Sequence, residues 1–168
     1  MNQKTKHLVR AAIIAALYAA LTHMQNILLP GSATWAIQCR VSEALCVLAF
    51  FTPAAIPGLT IGCLVFNLTF AASLPLDWLV GSMATFTAAY GMWATRNIRI
   101  LGYPLPGMIM PSLFNALLVG WELQLYFGGG FWINAAYVAL GELIVMAAFG
   151  TALLQVLEKG KLGKRLFS

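Results

Sequence analysis

Charged side chains are scarce in this chain, because Asp, Glu, Lys and Arg together make up 9% of its 168 residues. Hydrophobic residues make up 61%, and the mean hydropathy is +0.83. Soluble globular domains carry about 25% charged residues. The composition therefore argues against an ordinary water-soluble domain and predicts an all-α integral membrane protein.

Cysteine is also rare, and Cys39, Cys46 and Cys63 lie in or beside apolar runs without a Cys-x-x-Cys or Cys/His spacing. We interpret them as buried structural thiols and expect no metal site. No GxxxxGK[ST] phosphate-binding loop is present, so energy from ATP must come from another protein. Because His23 lies far in sequence from any catalytic partner, we expect no enzymatic activity and no cofactor in this chain.

Six apolar runs bounded by proline, glycine or charge predict six transmembrane helices in a single integral membrane domain, residues 1–168. The predicted helices cover about residues 8–29, 38–52, 54–74, 77–95, 105–127 and 131–158. The first run is longer than the core of a signal peptide, so we expect a retained helix. The second is short for a full span, because Pro53 and Pro57 crowd its end, and an alternative start lies near Trp35.

The basic residues follow a pattern that sets the topology. An even number of spans places nine of the ten on one face, which the positive-inside rule assigns to the cytoplasm together with both termini. These nine are Lys4, Lys6, Arg10, Arg96, Arg99, Lys159, Lys161, Lys164 and Arg165. The net charge of +5 is therefore read as topological, and we expect no nucleic-acid partner.

Arg40 is the one basic residue that this topology does not explain, because it falls on the opposite, outer side. At a rise of about 1.5 Å per residue, Glu122 and Asn134 reach a similar outer level, and Asn115 and Glu142 meet about halfway down. Four of the five acids then lie in the outer half or at its rim: Glu43, Asp77, Glu122 and Glu142. Polar groups inside a bilayer face a partner, a cavity or a substrate, so the pattern indicates an outward-facing binding chamber.

Each of these residues also has a structural interpretation. Arg40 and Glu43 are three residues apart and can pair with each other on a helix. Asn115 can hydrogen-bond to a neighbouring helix, and Asp77 can cap the fourth helix. The tryptophans near the outer interface, Trp78, Trp121 and Trp132, fit an aromatic belt, and stacking of one of them on a flat ligand is the alternative.

The first helix carries two neighbouring stripes of alanine at four-residue spacing. One stripe is Ala11, Ala15 and Ala19, and the other is Ala12, Ala16 and Ala20. Small residues at this interval let another helix approach closely. A stripe can pack inside the bundle, as Gly58 and Gly62 of the third helix are expected to do, but its length favours a docking surface for a partner chain.

Three blocks of sequence resemble the QueT family, the substrate-binding S components of energy-coupling factor (ECF) transporters for queuosine precursors. The blocks are RVSEALCVLAFFTPAAIPG at Arg40 to Gly58, with Ile61-Gly-Cys63 and Asn67 beyond it, FNALLVGWE at Phe114 to Glu122, and NAAYVALGELI at Asn134 to Ile144. The resemblance implies an S-component-like bundle of six helices in a prokaryotic plasma membrane. It also implies docking through a helix-one alanine motif onto a transmembrane coupling subunit with two cytoplasmic ATPases.

The implied substrate is a 7-deazaguanine such as preQ1, with preQ0 and queuine as alternatives. One carboxylate can accept both the N1–H and the 2-amino group of the guanine edge, and a second suits the cationic aminomethyl group of preQ1. We assign Glu142 or Glu43 to the guanine edge and Glu122 to the amine. Arg40 donates to O6 or holds a glutamate in place, because a 7-deaza base lacks N7. The orienting groups are Asn67, Asn115 and Asn134.

A different class of function stays open from the residues alone. Glu122 and Glu142 could carry a proton in a self-sufficient secondary transporter for a small polar or cationic solute. Discontinuous helices and an inverted repeat favour such a transporter, and the sequence contains no convincing repeat.

Overall fold

A computed structural model describes residues 2–32, 39–159 and 162–167, apart from the side chains of residues 164 and 165. The described ranges are helical, and the one β-type pairing in them is an isolated bridge between Ile100 and Tyr103. Parts of two predictions, the start of the second helix at Gln38 or Trp35 and the position of Lys161, lie outside these ranges.

Within the described ranges, six helical segments correspond to the six predicted helices. In chain order they are α1 (Gln3–Leu28), a 3-10 helix (Val41–Phe50), α2 (Ala55–Thr69), α3 (Asp77–Ala94), α4 (Leu105–Met108) followed directly by α5 (Met110–Phe127), and α6 (Phe131–Val145) continued by a π-helical segment (Met146–Gly150) and α7 (Thr151–Lys159). A short additional helix, α8 (Leu162–Phe167), follows. Among the described residues, three stretches are long and apolar enough to cross a membrane, Gln3–Leu28, Leu105–Phe127 and Phe131–Lys159.

The second segment differs from its prediction, because it is a 3-10 helix of 10 residues. This segment packs among α1, α3 and the π-helical segment, and most of its side chains are buried. A 3-10 helix has three residues per turn, so residues at i and i+3 eclipse each other. Arg40, Glu43 and Cys46 are consequently brought onto one line.

The predicted third helix is too long at its end. Helix α2 ends at Thr69, five residues before the predicted Leu74, and Phe70 takes an extended conformation. The hydroxyl of Thr69 donates to the carbonyl of Val65 at 2.6 Å. Pro75 lies in the connection that follows and disfavours helical geometry at Leu74.

The fifth predicted helix is divided at Ile109 into α4 and α5. Pro111 explains the division, since it has no amide hydrogen to donate to the carbonyl of Gly107. Gly107 itself faces the ring of Phe50, where an added Cβ would lie 2.4 Å from the ring edge. The 3-10 helix and the fifth segment therefore pack tightly at this point.

Helices α1 and α2 approach closely through small residues. An added Cβ at Gly58 would lie 2.8 Å from the carbonyl oxygen of Ala11, and one at Gly62 would lie 2.8 Å from that of Ala15. The expected packing of Gly58 and Gly62 within the bundle is confirmed, and the α1 residues that they meet include Ala11 and Ala15 beside Ile14 and Tyr18.

Apart from Arg40, basic residues from separate parts of the described chain lie at one end of the bundle. Arg10 of α1 donates to the carbonyl oxygen of Phe167 at 3.1 Å, and Arg99 pairs with Glu158. These contacts bring the start of the chain, the loop after α3 and the last helices together, as predicted.

Candidate functional site: a buried polar cluster

Four acidic side chains and one guanidinium are buried in the described part of the bundle. Glu43 is 1% exposed, Asp77 7%, Glu122 0%, Glu142 2% and Arg40 7%. We refer to these five residues as the polar cluster. Four different segments supply them, because Arg40 and Glu43 belong to the 3-10 helix and its cap, and the others come from α3, α5 and α6.

Glu43 is held by donors from three directions. Tyr18 of α1 donates its phenolic hydrogen to Oε1, and Cys46 donates to Oε2 at 3.2 Å. Thr85 of α3 also donates to Oε1, at 3.4 Å. Both carboxylate oxygens of Glu43 are therefore engaged by the protein itself.

Arg40 is the one basic residue of the polar cluster. It interacts electrostatically with Glu43, Glu122 and Glu142. Its guanidinium carbon lies 5.4 Å from the centre of the Phe66 ring. Opposite charge and an aromatic face are the two environments that favour a buried guanidinium.

Glu142 faces Glu43 and Arg40, and its Oε2 is buried without a hydrogen-bond partner. It projects from α6 one turn before the π-helical segment. A buried carboxylate oxygen without a donor is costly, so this atom is available to a ligand donor.

Glu122 forms a second centre with Asp77. The two carboxyl groups lie close enough to interact directly, and both oxygens of Glu122 are buried without a hydrogen-bond partner. Asn67 of α2 lies beside them, because its Nδ2 donates to the backbone carbonyl of Asp77 at 2.7 Å. The Asn67 Oδ1 has no hydrogen-bond partner either.

Asp77 makes a hydrogen bond within the loop that precedes α3. Its Oδ2 accepts a hydrogen bond from the amide of Leu74 at 2.7 Å, so it fixes the turn before α3 and does not cap the first amides of that helix. The expected cap is corrected in this respect. The turn holds the carboxyl group of Asp77 toward Glu122.

Three further predicted residues take different positions. Asn115 is 6% exposed, and its Nδ2 is buried without a hydrogen-bond partner. Asn134 is half-buried and donates to the carbonyl of Gly128 at 2.8 Å, where it stabilises the glycine turn between α5 and α6. Trp132 is 77% exposed and contacts Phe131 edge-on, which suits an interfacial belt.

Sequence reasoning missed several members of the site. Tyr18 and Thr85 contact Glu43 from other helices, and Cys63 contacts both Arg40, at 3.6 Å, and Asn67, at 3.5 Å. Cys46 had a usable signal, since it is three residues after Glu43 in a short apolar segment. Tyr18 and Thr85 gave none, because only the tertiary fold brings them to the glutamate. The described residues include no group of three or more side chains suited to hold a metal ion.

The two alanine stripes of α1 have different environments. Ala11, Ala15 and Ala19 are buried, and the first two meet the glycines of α2. The stripe at Ala12, Ala16 and Ala20 is exposed. The exposed stripe is thus the one that remains accessible to another chain.

Helices that are long and apolar enough to cross a membrane, together with a buried cluster of charges, are typical of membrane transport proteins. The family model described as QueT transporter matches residues 8–159. The chain belongs to the QueT transporter family.

One curated relative is the queuosine precursor transporter QueT of Lactococcus lactis subsp. cremoris (strain MG1363). It is 40% identical over 84 residues, which cover 50% of this chain and 47% of the relative. The match thus spans about half the length of that protein. No solved structure matches the chain significantly.

Proposed function

We propose that this chain is the high-affinity substrate-binding S component of an ECF-type importer for a queuosine precursor, a 7-deazaguanine such as preQ1. Membership of the QueT transporter family and the name of the Lactococcus relative support the substrate class. The observation that carries the proposal is the set of buried acceptors without donors, on Glu122 and Glu142. The adjacent N–H donors of a guanine-type base suit the acceptor on Glu142, and an aminomethyl group suits those on Glu122.

Glu142 is the better partner for the guanine edge. Both oxygens of Glu43 already accept hydrogen bonds from the protein, whereas Oε2 of Glu142 accepts none. A carboxylate that receives the N1–H and the 2-amino group makes two charge-assisted hydrogen bonds in one plane. Glu43 then acts as a fixed negative charge that holds Arg40.

Arg40 serves this arrangement as a donor to O6 or as an anchor for the glutamates. A 7-deaza base has no N7, so the two-pronged arginine contact that reads guanine in DNA is not available. Its electrostatic interactions with Glu43, Glu122 and Glu142 support the anchoring role.

The amides have different roles in the proposal. Asn67 and Asn115 are buried and carry polar atoms without partners, so they can orient the ligand. Asn134 acts indirectly in this proposal, because it stabilises the glycine turn between α5 and α6. Trp132 belongs to the aromatic belt at the membrane interface.

Coupling to ATP hydrolysis requires partner chains, namely a transmembrane coupling subunit that binds two cytoplasmic ATPases. We assign docking onto this coupling subunit to the exposed stripe of Ala12, Ala16 and Ala20. Close helix approach over small residues is the basis of this assignment. The proposed setting is the plasma membrane of a prokaryote, with six spans and both termini cytoplasmic, since the basic end should face inward.

The direct test is a calorimetric titration of the purified full chain in detergent with preQ1, preQ0 and queuine. We expect tight binding of one precursor, and a loss of at least about 10-fold for Glu142→Gln, the scale of one charge-assisted hydrogen bond. Glu158→Gln is the matched control, because Glu158 pairs with Arg99 at the basic end. Binding that is absent in the wild type, or unchanged in Glu142→Gln, would contradict the proposal.

A transport assay separates this function from a self-sufficient transporter. Proteoliposomes with the lone chain should not accumulate the precursor, whereas vesicles that also contain the coupling subunit and ATPases should do so with ATP. Proton-driven uptake by the lone chain would refute the S-component assignment and favour a secondary transporter.

A further inference from the structure

The carboxyl groups of Asp77 and Glu122 form a compact acidic centre away from the donors that hold Glu43. Both residues are buried, and they interact directly. The first is fixed by the amide of Leu74 at 2.7 Å, and both oxygens of the second lack a hydrogen-bond donor. Two neighbouring ionised carboxylates repel each other unless a positive group lies between them or they share a proton.

The excess of acidic over basic residues in the polar cluster also favours a positively charged ligand. Four buried acids face one buried base, so the acids outnumber Arg40 by three. The other basic residues of the sequence lie near its ends or at Arg96 and Arg99, and Arg10 and Arg99 make contacts at the opposite end of the bundle. A cationic ligand offsets this excess, whereas with a neutral ligand the buried acids must take up protons instead.

Asn67 adds a neutral oxygen to the acidic centre. Its Nδ2 is committed to the backbone carbonyl of Asp77 at 2.7 Å, which leaves Oδ1 as the free acceptor. Asn67 is 5% exposed, so this oxygen is an unpartnered polar atom inside the bundle. The centre thus presents acceptors and no free donor.

We propose that Asp77, Glu122 and Asn67 form a site for a primary ammonium group on the substrate, separate from the residues that bind the base edge. The inference rests on the proposed function and deepens it, because it selects a cationic precursor with an aminomethyl group. A primary ammonium has three N–H donors, which match two carboxylates and one amide oxygen. A nitrile at the same position is an acceptor and leaves the centre unsatisfied.

An inorganic cation fits the same atoms less well. Hard metal ions take about six or more oxygen ligands. The acceptors without partners number three here, Oε1 and Oε2 of Glu122 and Oδ1 of Asn67. An ammonium group needs no more than that.

The test compares ligands that share the guanine edge and differ at the 7-position. The full chain in detergent is titrated with preQ1, which carries an aminomethyl group, with preQ0, which carries a nitrile, and with 7-methyl-7-deazaguanine. We expect preQ1 to bind at least about 10-fold more tightly than either neutral base. Glu122→Gln should remove this advantage and leave the affinities for the two neutral bases within about 3-fold of their wild-type values.

A second variant protects the test against misfolding. Asp77→Asn removes the charge and keeps an oxygen that can accept from Leu74, so the turn before α3 should persist. It should lower preQ1 affinity selectively, as Glu122→Gln does, whereas the Glu158→Gln control should leave every affinity unchanged.

The outcomes separate the two proposals. If no base binds the wild type, the proposed function fails. If preQ1 and preQ0 bind equally tightly, or Glu122→Gln weakens all three ligands alike, the base site stands and the ammonium site is wrong. Replacing sodium with choline in the buffer should not change preQ1 affinity. A sodium requirement that disappears in Glu122→Gln would overturn the inference in favour of an inorganic cation.

Discussion

Tyr18 of α1 donates its phenolic hydrogen to the carboxylate of Glu43 in the 3-10 helix, and both side chains are buried. The contact joins two elements whose residues are 25 positions apart. In Tyr18→Phe the carboxylate oxygen keeps only the longer contact from Thr85, at 3.4 Å. We expect the free energy of unfolding to fall by about 1–3 kcal/mol, because a buried charged acceptor loses its best donor.

Thermal unfolding in detergent measures this change, and calorimetry with preQ1 measures its effect on binding. The matched control is Tyr137→Phe, because Tyr137 is exposed on α6. We expect a smaller loss of affinity for Tyr18→Phe than for Glu142→Gln, since in the proposed site Glu43 holds Arg40 and Glu142 binds the base. Equal unfolding midpoints for the two phenylalanine variants would show that the contact does not stabilise the fold.

Neighbouring alanines on α1 should respond differently to enlargement. Ala15→Leu places a larger side chain against Gly62, where the backbones already approach within contact distance, so the lone protein should be destabilised. Ala16→Leu adds the same atoms on the exposed side. It should leave the melting temperature and preQ1 affinity of the lone chain unchanged.

Transport by the reconstituted complex provides the second measurement for this pair. Ala16→Leu should prevent close approach of the coupling subunit and abolish ATP-dependent uptake, even though the lone chain still binds its ligand. Uptake at the wild-type rate in Ala16→Leu would remove the exposed stripe from the docking surface.

Hydrophobic periodicity and the positions of proline, glycine and charged residues predict most of this fold, but they do not predict its 3-10 and π-helical segments. The six segments and the common end for the basic residues follow from apolar runs and charge. The 3-10 geometry of Val41–Phe50 and the π-helical segment at Met146–Gly150 do not, because both arise from packing against other segments. No local sequence pattern in Val41–Phe50 or Met146–Gly150 indicates 3-10 or π-helical hydrogen bonding.

The sequence likewise predicts some features of the candidate site, and only the structure reveals the others. Intramembrane charges are so costly that Arg40, Glu43, Glu122 and Glu142 could be found from the sequence alone. Their grouping into two centres could not, because it depends on Tyr18 approaching Glu43 and on the turn that directs Asp77 toward Glu122. Trp132 was selected by residue type, and the structure places it on the surface.

Thiol labelling can test the orientation of the chain. Cys46 and Cys63 are fully buried, whereas Cys39 is half-buried beside Arg40. If the basic end is cytoplasmic, a membrane-impermeant maleimide added to intact cells should modify Cys39. A cysteine introduced as Leu166→Cys in a Cys39→Ser background should react only after the membrane is permeabilised, because Leu166 is exposed at the basic end.

The reverse pattern, with Leu166→Cys labelled in intact cells and Cys39 protected, would invert the topology. It would also place the polar cluster toward the cytoplasm, which is incompatible with capture of an external substrate. The Cys39→Ser chain without a new cysteine is the control for background reaction.

The π-helical segment keeps both halves of the sixth span facing the core. Buried residues occur along the whole span and include Val138, Glu142, Met146, Gly150, Leu154 and Leu157. Val138 and Leu157 are separated by 19 positions, one more than the 18 residues of five α-helical turns. The wider π turn accommodates the additional residue, so Glu142 and Leu154 point into the same interior.

Deleting Ala148, which is exposed in this segment, should convert the π turn to α-helix. Val138 and Leu157 would then be separated by about 18 positions, or five α-helical turns, so Leu154 and Leu157 should stay in the core. We expect this variant to melt near the wild-type temperature and to bind preQ1. Deleting Ala147 together with Ala148 removes one residue more than the π turn accommodates, which rotates the following helix by about 100° and should lower the unfolding midpoint. A single deletion that is as destabilising as the double deletion would show that the π turn does not set this register.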